Sequence, residues 1–360
     1  MNRDSVPMEQ IMVLIPSLNP DEKLEQYIKE LIEIGFIHIL VVDDGSRREC
    51  QDIFEHLAGY EEVTVLHHEV NRGKGRALKT GFAWCLEHFT DCQGVVTADS
   101  DGQHSPVDTR KVAEALASGP DDLILGTRNF NEEQVPFKSR YGNKITTLIF
   151  ALLYGKYIHD TQTGLRGIRV NLLPPLCELS GERFEYEIKM LIFAARQKLS
   201  CKEVLIETIY IDENRETHFH PVKDSARIYG VIFGSFFKYL LSSLSASLLD
   251  MGLFAAFHLW VFGGIPLGNN VFLSTLLARC ASSVYNFSVN RKLVFGSQGR
   301  LIRHLVSYYL LVIIQMGCSA GLVYFFTALL SGPAVVVKMI VDTCLFLVSY
   351  QIQQRFIFRD

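Results

Sequence analysis

The chain has no paired cysteines, little tryptophan and no excess of positive charge. Its eight cysteines are scattered over 360 residues without a CxxC pair. That argues against a disulfide framework or a cysteine zinc site, and reduced thiols are expected. The formal net charge is −4. A general nucleic-acid binder would show a basic balance, so no nucleic-acid partner is expected. No secretory leader is expected either, because Met1–Gln10 is polar and Ile11–Ile15 is too short for a leader's apolar core. Internal repeats and low-complexity tracts are absent. Acidity is scarce in the second half: nearly all Asp and Glu lie before Asp224, and from about Ile228 the chain is mostly apolar. The overall 48% hydrophobic and 21% charged residues average over this split. A soluble half followed by a membrane half explains it better than one globular domain.

The first half alternates apolar runs with helical periodicity. Strands are expected at Ile11–Pro16, Ile37–Val42, Val63–Leu66, Gly94–Ala98 and Asp122–Gly126. Helices are expected at Asp21–Ile34, Arg47–Leu57, Gly75–His88 and Val107–Ala117. Such repetition predicts an α/β fold with a mostly parallel, doubly wound sheet, whose ligands bind beyond the carboxyl ends of the strands. The polar clusters fall at those ends: Ser17–Asn19, Asp43–Ser46, Asn71–Lys74, Asp99–Gln103 and Thr127–Arg128.

Three of these clusters suggest chemistry. Asp99, Asp101 and Gln103 alternate after the buried run Val95–Ala98. Three oxygen ligands so placed can converge on a hard divalent cation that keeps positions open for phosphate oxygens. A solvated Asp/Gly turn is the competing reading. Asp43 and Asp44 precede Gly45-Ser46 and suit either an Asx turn with Ser46 capping the next helix, or a carboxylate receiving a base edge or ribose hydroxyl. Pro16 and Asn19 could complete that base pocket. Asn71-Arg72-Gly73-Lys74-Gly75-Arg76 fits neither GxxxxGK[ST] nor GxGxxG. Two glycines among three cations at a helix start suit close approach to an anion, or a basic surface turn.

Taken in order, Val41-Val42-Asp43-Asp44-Gly45-Ser46, Asn71-Arg72-Gly73-Lys74-Gly75 and Asp99-Ser100-Asp101-Gly102-Gln103-His104 resemble a family 2 glycosyltransferase of the GT-A fold. Among these, dolichyl- and polyprenyl-phosphate mannosyl- or glucosyltransferases are the most similar. The resemblance covers about residues 10–225. It implies that Asp99, Asp101 and Gln103 surround Mg2+ or Mn2+. It also implies that Pro16, Asn19, Val42, Asp43, Asp44, Lys74, Asp99, Ser100 and Asp101 contact the nucleotide sugar. At the first strand, Ser17-Leu18-Asn19-Pro20 departs from the family's aromatic-Asn-Glu. Gly126-Thr127-Arg128 resembles the family's Gly-Ser-Arg, and Asp160-Thr161-Gln162-Thr163-Gly164 its acceptor-side motif. Gln162 and Glu185 are then expected on the acceptor side. Arg128, Arg140 and Arg215 are candidates to hold a lipid phosphate, because arginine binds phosphate bidentately; each also reads as a surface arginine. With Asp101, these arginines form the expected catalytic set. The implied reaction moves one hexose from a nucleotide sugar to a polyprenyl monophosphate with inversion.

Apolar spans are expected near 239–262, 270–290, 304–330 and 334–354, each near or above the roughly 20 residues that cross a bilayer core. The expected organisation is a cytosolic domain over 1–225, an interfacial segment over 226–238 and an all-α four-helix membrane domain over 239–360. Basic residues Arg291, Lys292, Arg300 and Arg303 in the middle connection, and others at both flanks, place the termini and the catalytic half in the cytoplasm by the positive-inside rule. A bacterial or archaeal inner membrane is the expected location, and a homo-oligomer is compatible with it. Asn286–Phe295 and Ala278-Arg279 resemble the GtrA-like membrane proteins. Asp250, Arg279 and Asp342 read as intramembrane charges, either functional or a pair locking helices together. Lys144–Tyr157 is too short to span; it reads as a core helix or one lying on the membrane surface. Rival readings are a lipid-linked sugar translocator, a processive polysaccharide synthase and a soluble nucleotidyltransferase. The synthase's Gln-x-x-Arg-Trp motif is missing around Trp84 and Trp260, and the spans count against the nucleotidyltransferase.

Overall fold

The computed structural model describes residues 8–130, 137–207, 221–330 and 333–358. The chain forms two compact units, Met1–Ile232 and Phe233–Asp360.

In the first unit the order is β1 (Ile11–Ser17), α1 (Glu22–Glu33), β2 (Ile39–Asp43), α2 (Gln51–Leu57), β3 (Val63–His67), α3 (Lys74–His88) and β4 (Gly94–Thr97). There follow α4 (Pro106–Ser118), β5 (Leu123–Arg128), α5 (Phe137–Tyr154), β6 (Arg166–Arg169), α6 (Leu173–Glu178), α7 (Glu185–Gln197) and β7 (Cys201–Ile206). The strands form one sheet in the order β3-β2-β1-β4-β6-β5-β7. β1 and β2 are buried along their whole length, as strands covered on both faces must be, and so they read as unbroken apolar runs. α1 turns Leu24, Tyr27, Ile28 and Leu31 inward and is capped by the Asp21 carboxylate. Ser105 caps α4, with Pro106 in its first turn. The expected helix at 47–57 is a 3-10 turn over Arg48–Cys50 leading into α2.

β6 decides where the site can form. It runs antiparallel to both β4 and β5, whereas all other neighbouring strands are parallel. Its first residue, Arg166, pairs with Thr97 and Leu125 near the carboxyl ends of β4 and β5. The Asp160–Gly164 turn is thereby delivered to the edge where the parallel strands end.

α5 has two contrasting faces. Asn143, Thr146, Thr147, Phe150, Leu153 and Tyr154 are buried. Tyr141, Ile145, Leu148 and Leu152 form an exposed apolar stripe at helical spacing. The helix is fixed to the following segment by Thr146 Oγ1 against Tyr229 Oη at 2.9 Å and by Tyr154 Oη donating to the Ile232 carbonyl at 2.8 Å.

The remaining helices are α8 (Pro221–Ala256), α9 (Leu267–Val289), α10 (Leu301–Leu330) and α11 (Ala334–Ile352). Residues 226–238, expected as a separate interfacial segment, are part of α8. Among the described residues, three helices are long and apolar enough to cross a membrane: Asp224–Val261, Leu301–Leu329 and Ala334–Ile357. α9, expected as a fourth span, has the length but carries Asn269, Asn270, Arg279 and Asn286, which lower its hydropathy.

The second unit is held together by aromatic packing around a buried polar network. Phe287, Tyr308, Leu311, Ile357 and Phe358 cluster together. Asn290 donates to Gln353 at 3.0 Å, and Gln353 donates to Tyr239 and Ser349, each at 3.1 Å. Within the 286–295 motif, Phe287, Asn290 and Val294 are therefore core residues. The charges expected within the membrane are paired. Arg279 meets Asp250 at 3.1 Å with Ser282 donating to the same carboxylate, and Lys338 meets Asp342 at 2.8 Å with Ser319 donating. The outer faces carry many exposed large apolar residues, such as Leu248, Trp260, Ile313 and Met339. Surface of that extent suits hydrocarbon better than water.

Candidate active site

At the end of β2, Asp43 and Asp44 point to different partners. Asp43 Oδ1 accepts from the Ser46 backbone at 2.8 Å, and Oδ2 meets His67 Nδ1 at 3.0 Å and Gln51 at 3.4 Å. Burial raises this carboxyl, but the hydrogen bonds outweigh it and hold the group below its ordinary range. Asp44 Oδ1 accepts from the Arg72 backbone at 2.9 Å and meets His68 at 2.7 Å, while Oδ2 accepts from the Gly73 backbone at 2.7 Å. Asp44 therefore ties the basic loop to the sheet, a structural task that leaves little of it to face a ligand. Asp43 closes its turn through the Ser46 N–H, three residues on rather than the two of an Asx turn, and Ser46 does not cap a helix: its hydroxyl accepts from the Asn19 backbone at 2.8 Å. Asn19, at φ 49°, accepts from the Arg47 backbone through Oδ1 at 2.9 Å. Pro16, Val42 and Asn19 thus lie along the paired ends of β1 and β2, where Pro16 is in register with Val42.

The basic loop differs from expectation. A side chain on Gly73, at φ 100°, would run into the Glu182 carbonyl, and one on Gly75 would meet Tyr186 Cβ at 2.5 Å. The close approach these glycines permit is to residues 182–186 of the chain itself. Arg76 forms a two-pronged pair with Glu182 at 2.5 and 2.8 Å, joined by Lys79 at 2.7 Å. Arg72 is exposed. Among the three cations, Lys74 is the one directed at the β4 carboxylates: its Nζ lies 2.6 Å from Asp99 Oδ1 and 2.9 Å from Glu187 Oε1. Burial would lower the ammonium's pKa, yet the two carboxylates hold it above the ordinary lysine value.

Asp99 and Asp101 share one electrostatic environment. Burial resists ionisation of Asp99, but Lys74 foremost, then His104 and Arg128, hold its carboxyl down at about 2. Asp101 is raised to about 6, by burial first and by the charge of Asp99 second. Two carboxylates crowded in this way favour a shared cation, and Lys74 supplies one positive charge where a divalent ion would supply two. Hard oxygen donors of this kind fit Mg2+ or Mn2+. The Asp99 backbone donates to His104 Nδ1 at 3.0 Å, so that nitrogen carries no proton. Burial lowers the pKa of this imidazole. The Gln103 backbone donates to Asp101 at 3.1 Å, and Ser100 lies between the two aspartates, half-buried.

On the other side, Arg128 is gripped by buried Asp160, Nε at 2.7 Å and Nη2 at 3.2 Å, and stacks over Phe130 at 5.1 Å. The Gln162 backbone donates to the same carboxylate at 3.0 Å, and its side chain is exposed. Gly164 packs so tightly on Asp99 that a Cβ would collide with Oδ2. Arg140 lies in the first turns of α5, half-buried. Glu185 accepts from the backbones of Glu182 and Arg183 at 3.2 and 3.4 Å, so it braces the turn before α7. Arg215 lies outside the described residues.

Sequence reasoning missed Glu187 and Arg166. Arg166 is fully buried. Its Nε donates to the Thr163 carbonyl at 2.9 Å, and Nη1 to the Glu187 carbonyl at 2.8 Å, joining the 160–164 turn to α7. The antiparallel position of β6 makes that junction, and no local pattern announces it.

Comparison with known proteins gives a consistent assignment. Residues 12–174 match the family model described as Glycosyl transferase family 2, and residues 217–358 the GtrA/DPMS transmembrane domain. An uncharacterized protein of Methanocaldococcus jannaschii is 32% identical over 213 residues, covering 58% of this chain and 85% of its own. The UDP-N-acetylglucosamine–dolichyl-phosphate N-acetylglucosaminyltransferase of Methanococcus voltae is 31% identical over 219 residues, 56% of this chain and 86% of its own. The polyprenol monophosphomannose synthase of Mycolicibacterium smegmatis is 28% identical over 208 residues, 56% of this chain and 77% of its own.

Proposed function

Because the chain belongs to the family 2 glycosyltransferases, among the dolichyl- and polyprenyl-phosphate sugar transferases, and carries a GtrA/DPMS transmembrane domain, we propose that it transfers one hexose from a nucleotide sugar to a polyprenyl monophosphate, with inversion, at the cytoplasmic membrane face. One observation carries this reading: β6 brings the Asp160–Gly164 turn, which grips Arg128, against the Asp99 carboxylate. The groups read as metal-side and acceptor-side thus lie together where the parallel strands end.

In this reading the nucleotide rests on the ends of β1 and β2, beside Asp43. Lys74, beside the β4 carboxylates, receives the diphosphate. A divalent ion on Asp99, Asp101 and Gln103 would neutralise the departing diphosphate. Arg128, with Arg140 and Arg215, presents the lipid phosphate through charge-assisted hydrogen bonds. A phosphate oxygen attacks the anomeric carbon from the face opposite the leaving nucleotide. That oxygen is already ionised near neutral pH, so the site needs positioning and electrostatics rather than a strong base. His104, with Nδ1 occupied by a backbone N–H, suits a bracing role. The exposed stripe of α5 is read as lying on the lipid surface, close to where α8 begins its apolar run.

The test is transfer of label from GDP-mannose, UDP-glucose and UDP-N-acetylglucosamine to polyprenyl phosphate by membranes containing the protein. The third donor enters because the M. voltae relative uses that sugar. One donor should label the lipid; no labelling from any donor would overturn the proposal.

A further inference from the structure

We propose that Lys74 is a resident stand-in for the divalent cation on Asp99, so that metal and nucleotide load the site cooperatively. This deepens, and rests on, the metal-dependent reading above.

The geometry puts one cation on one oxygen. Gly164 packs against the Asp99 carboxylate, more closely on Oδ2 than on Oδ1, and the Asp99 backbone is committed to His104. Oδ1 is the oxygen that faces a cation, with Lys74 Nζ at 2.6 Å. An ammonium and a dication repel each other at one carboxylate oxygen, so the metal must displace Lys74. The backbone around Lys74 is pinned, since Asp44 holds the N–H groups of Arg72 and Gly73. What can move is the flexible four-carbon stem.

Glu187 gives the ammonium a second partner at 2.9 Å, so Lys74 can release Asp99 without losing all compensation. The Glu187 carbonyl is anchored by buried Arg166. Glu187 is thus a positioning residue for Lys74. A diphosphate supplies the anion that draws Lys74 away and frees Oδ1. Metal then favours nucleotide and nucleotide favours metal by the same factor. The site thereby avoids holding a metal ion without a donor to activate.

The test uses the purified full chain in detergent, titrated with Mn2+ while free Mn2+ is read by electron paramagnetic resonance, alone and with UDP or GDP. The wild type should bind Mn2+ about tenfold tighter or more with the matching nucleotide than without it. Lys74→Met should bind nucleotide-free Mn2+ about tenfold tighter than the wild type, and added nucleotide should change this little. Arg72→Gln removes an equal charge from an exposed position nearby and should bind Mn2+ like the wild type. Folded Lys74→Met that binds nucleotide-free Mn2+ no better than the wild type would overturn the stand-in role and leave the metal reading intact. Wild-type Mn2+ affinity indifferent to nucleotide would overturn it without any variant. Absence of Mn2+ binding under every condition would overturn the metal reading and this proposal together.

Discussion

Two pairs of aspartates lie at the carboxyl ends of the two parallel strands that flank β1, namely β2 and β4, and they have opposite fates. Asp43 and Asp44 are adjacent, so their side chains leave β2 in different directions. One is bonded to Ser46, His67 and Gln51, the other to His68 and the loop at Arg72 and Gly73. Asp99 and Asp101 are one residue apart, so they face one space, and the charge of the first raises the pKa of the second. At β2 backbone N–H groups, two histidines and Gln51 do most of the satisfying; at β4 the Lys74 ammonium does it. Carboxylates filled by fixed donors build a scaffold, whereas carboxylates compensated by an exchangeable cation form a site.

The contrast can be broken at either end. The largest expected effect is at β4: Asp101→Ala should reduce lipid labelling by about a hundredfold or more while the melting temperature stays near wild type. Labelling left unchanged would remove Asp101 from the metal set. At β2 the loss should fall on the scaffold. Asp44→Ala strands one buried and one partly buried backbone donor and should cost about 2 kcal/mol of stability in denaturant unfolding, with weakened nucleotide binding as Lys74 loses its anchor. A stable variant with normal nucleotide affinity would refute the scaffold role. Gly164→Ala should push Asp99 aside and lower the turnover by about tenfold, with stability less affected; normal turnover would mean that Asp99 tolerates the shift.

The smallest effect concerns acid. The folded pKa of Asp43 is depressed, so its contribution to stability is present above the unfolded carboxylate range. It is lost as pH falls through the depressed value. Asp43→Asn should cost about 1 kcal/mol at neutral pH and make unfolding less steeply pH-dependent in acid. An unaltered acid profile would show that Asp43 gains nothing from its partners.

Much of the fold was legible because local pattern and tertiary role agree. β1 to β5 read as strands because they are apolar and flanked by turn residues, and α1 and α4 announce themselves by periodicity and caps. β6 was not legible: Arg166-Gly167-Ile168-Arg169 is four residues long with cations at both ends, and its burial depends on being sandwiched between β4 and β5. β7 (CKEVLI) mixes charge with apolar residues and lies at the sheet edge. Asp99 and Asp101 could be identified from their spacing. Glu187 could not, because nothing within α7 distinguishes it from a solvated helix carboxylate. The two glycines of the basic loop were legible as points of close approach, but what approaches them is Glu182 and Tyr186, more than a hundred residues away.

The sequence by itself determined the division into an α/β half and an apolar helical half, the polar clusters at strand ends and the alternating carboxylates, because these follow from periodicities of two and 3.6 residues and from the cost of placing charge in hydrocarbon. Only the tertiary structure decided which cation faces Asp99, which carboxylates are already satisfied and which turn closes the site. Those choices depend on where the reversed β6 and the start of α7 dock, and docking is set by the packing of distant segments rather than by any local run of residues.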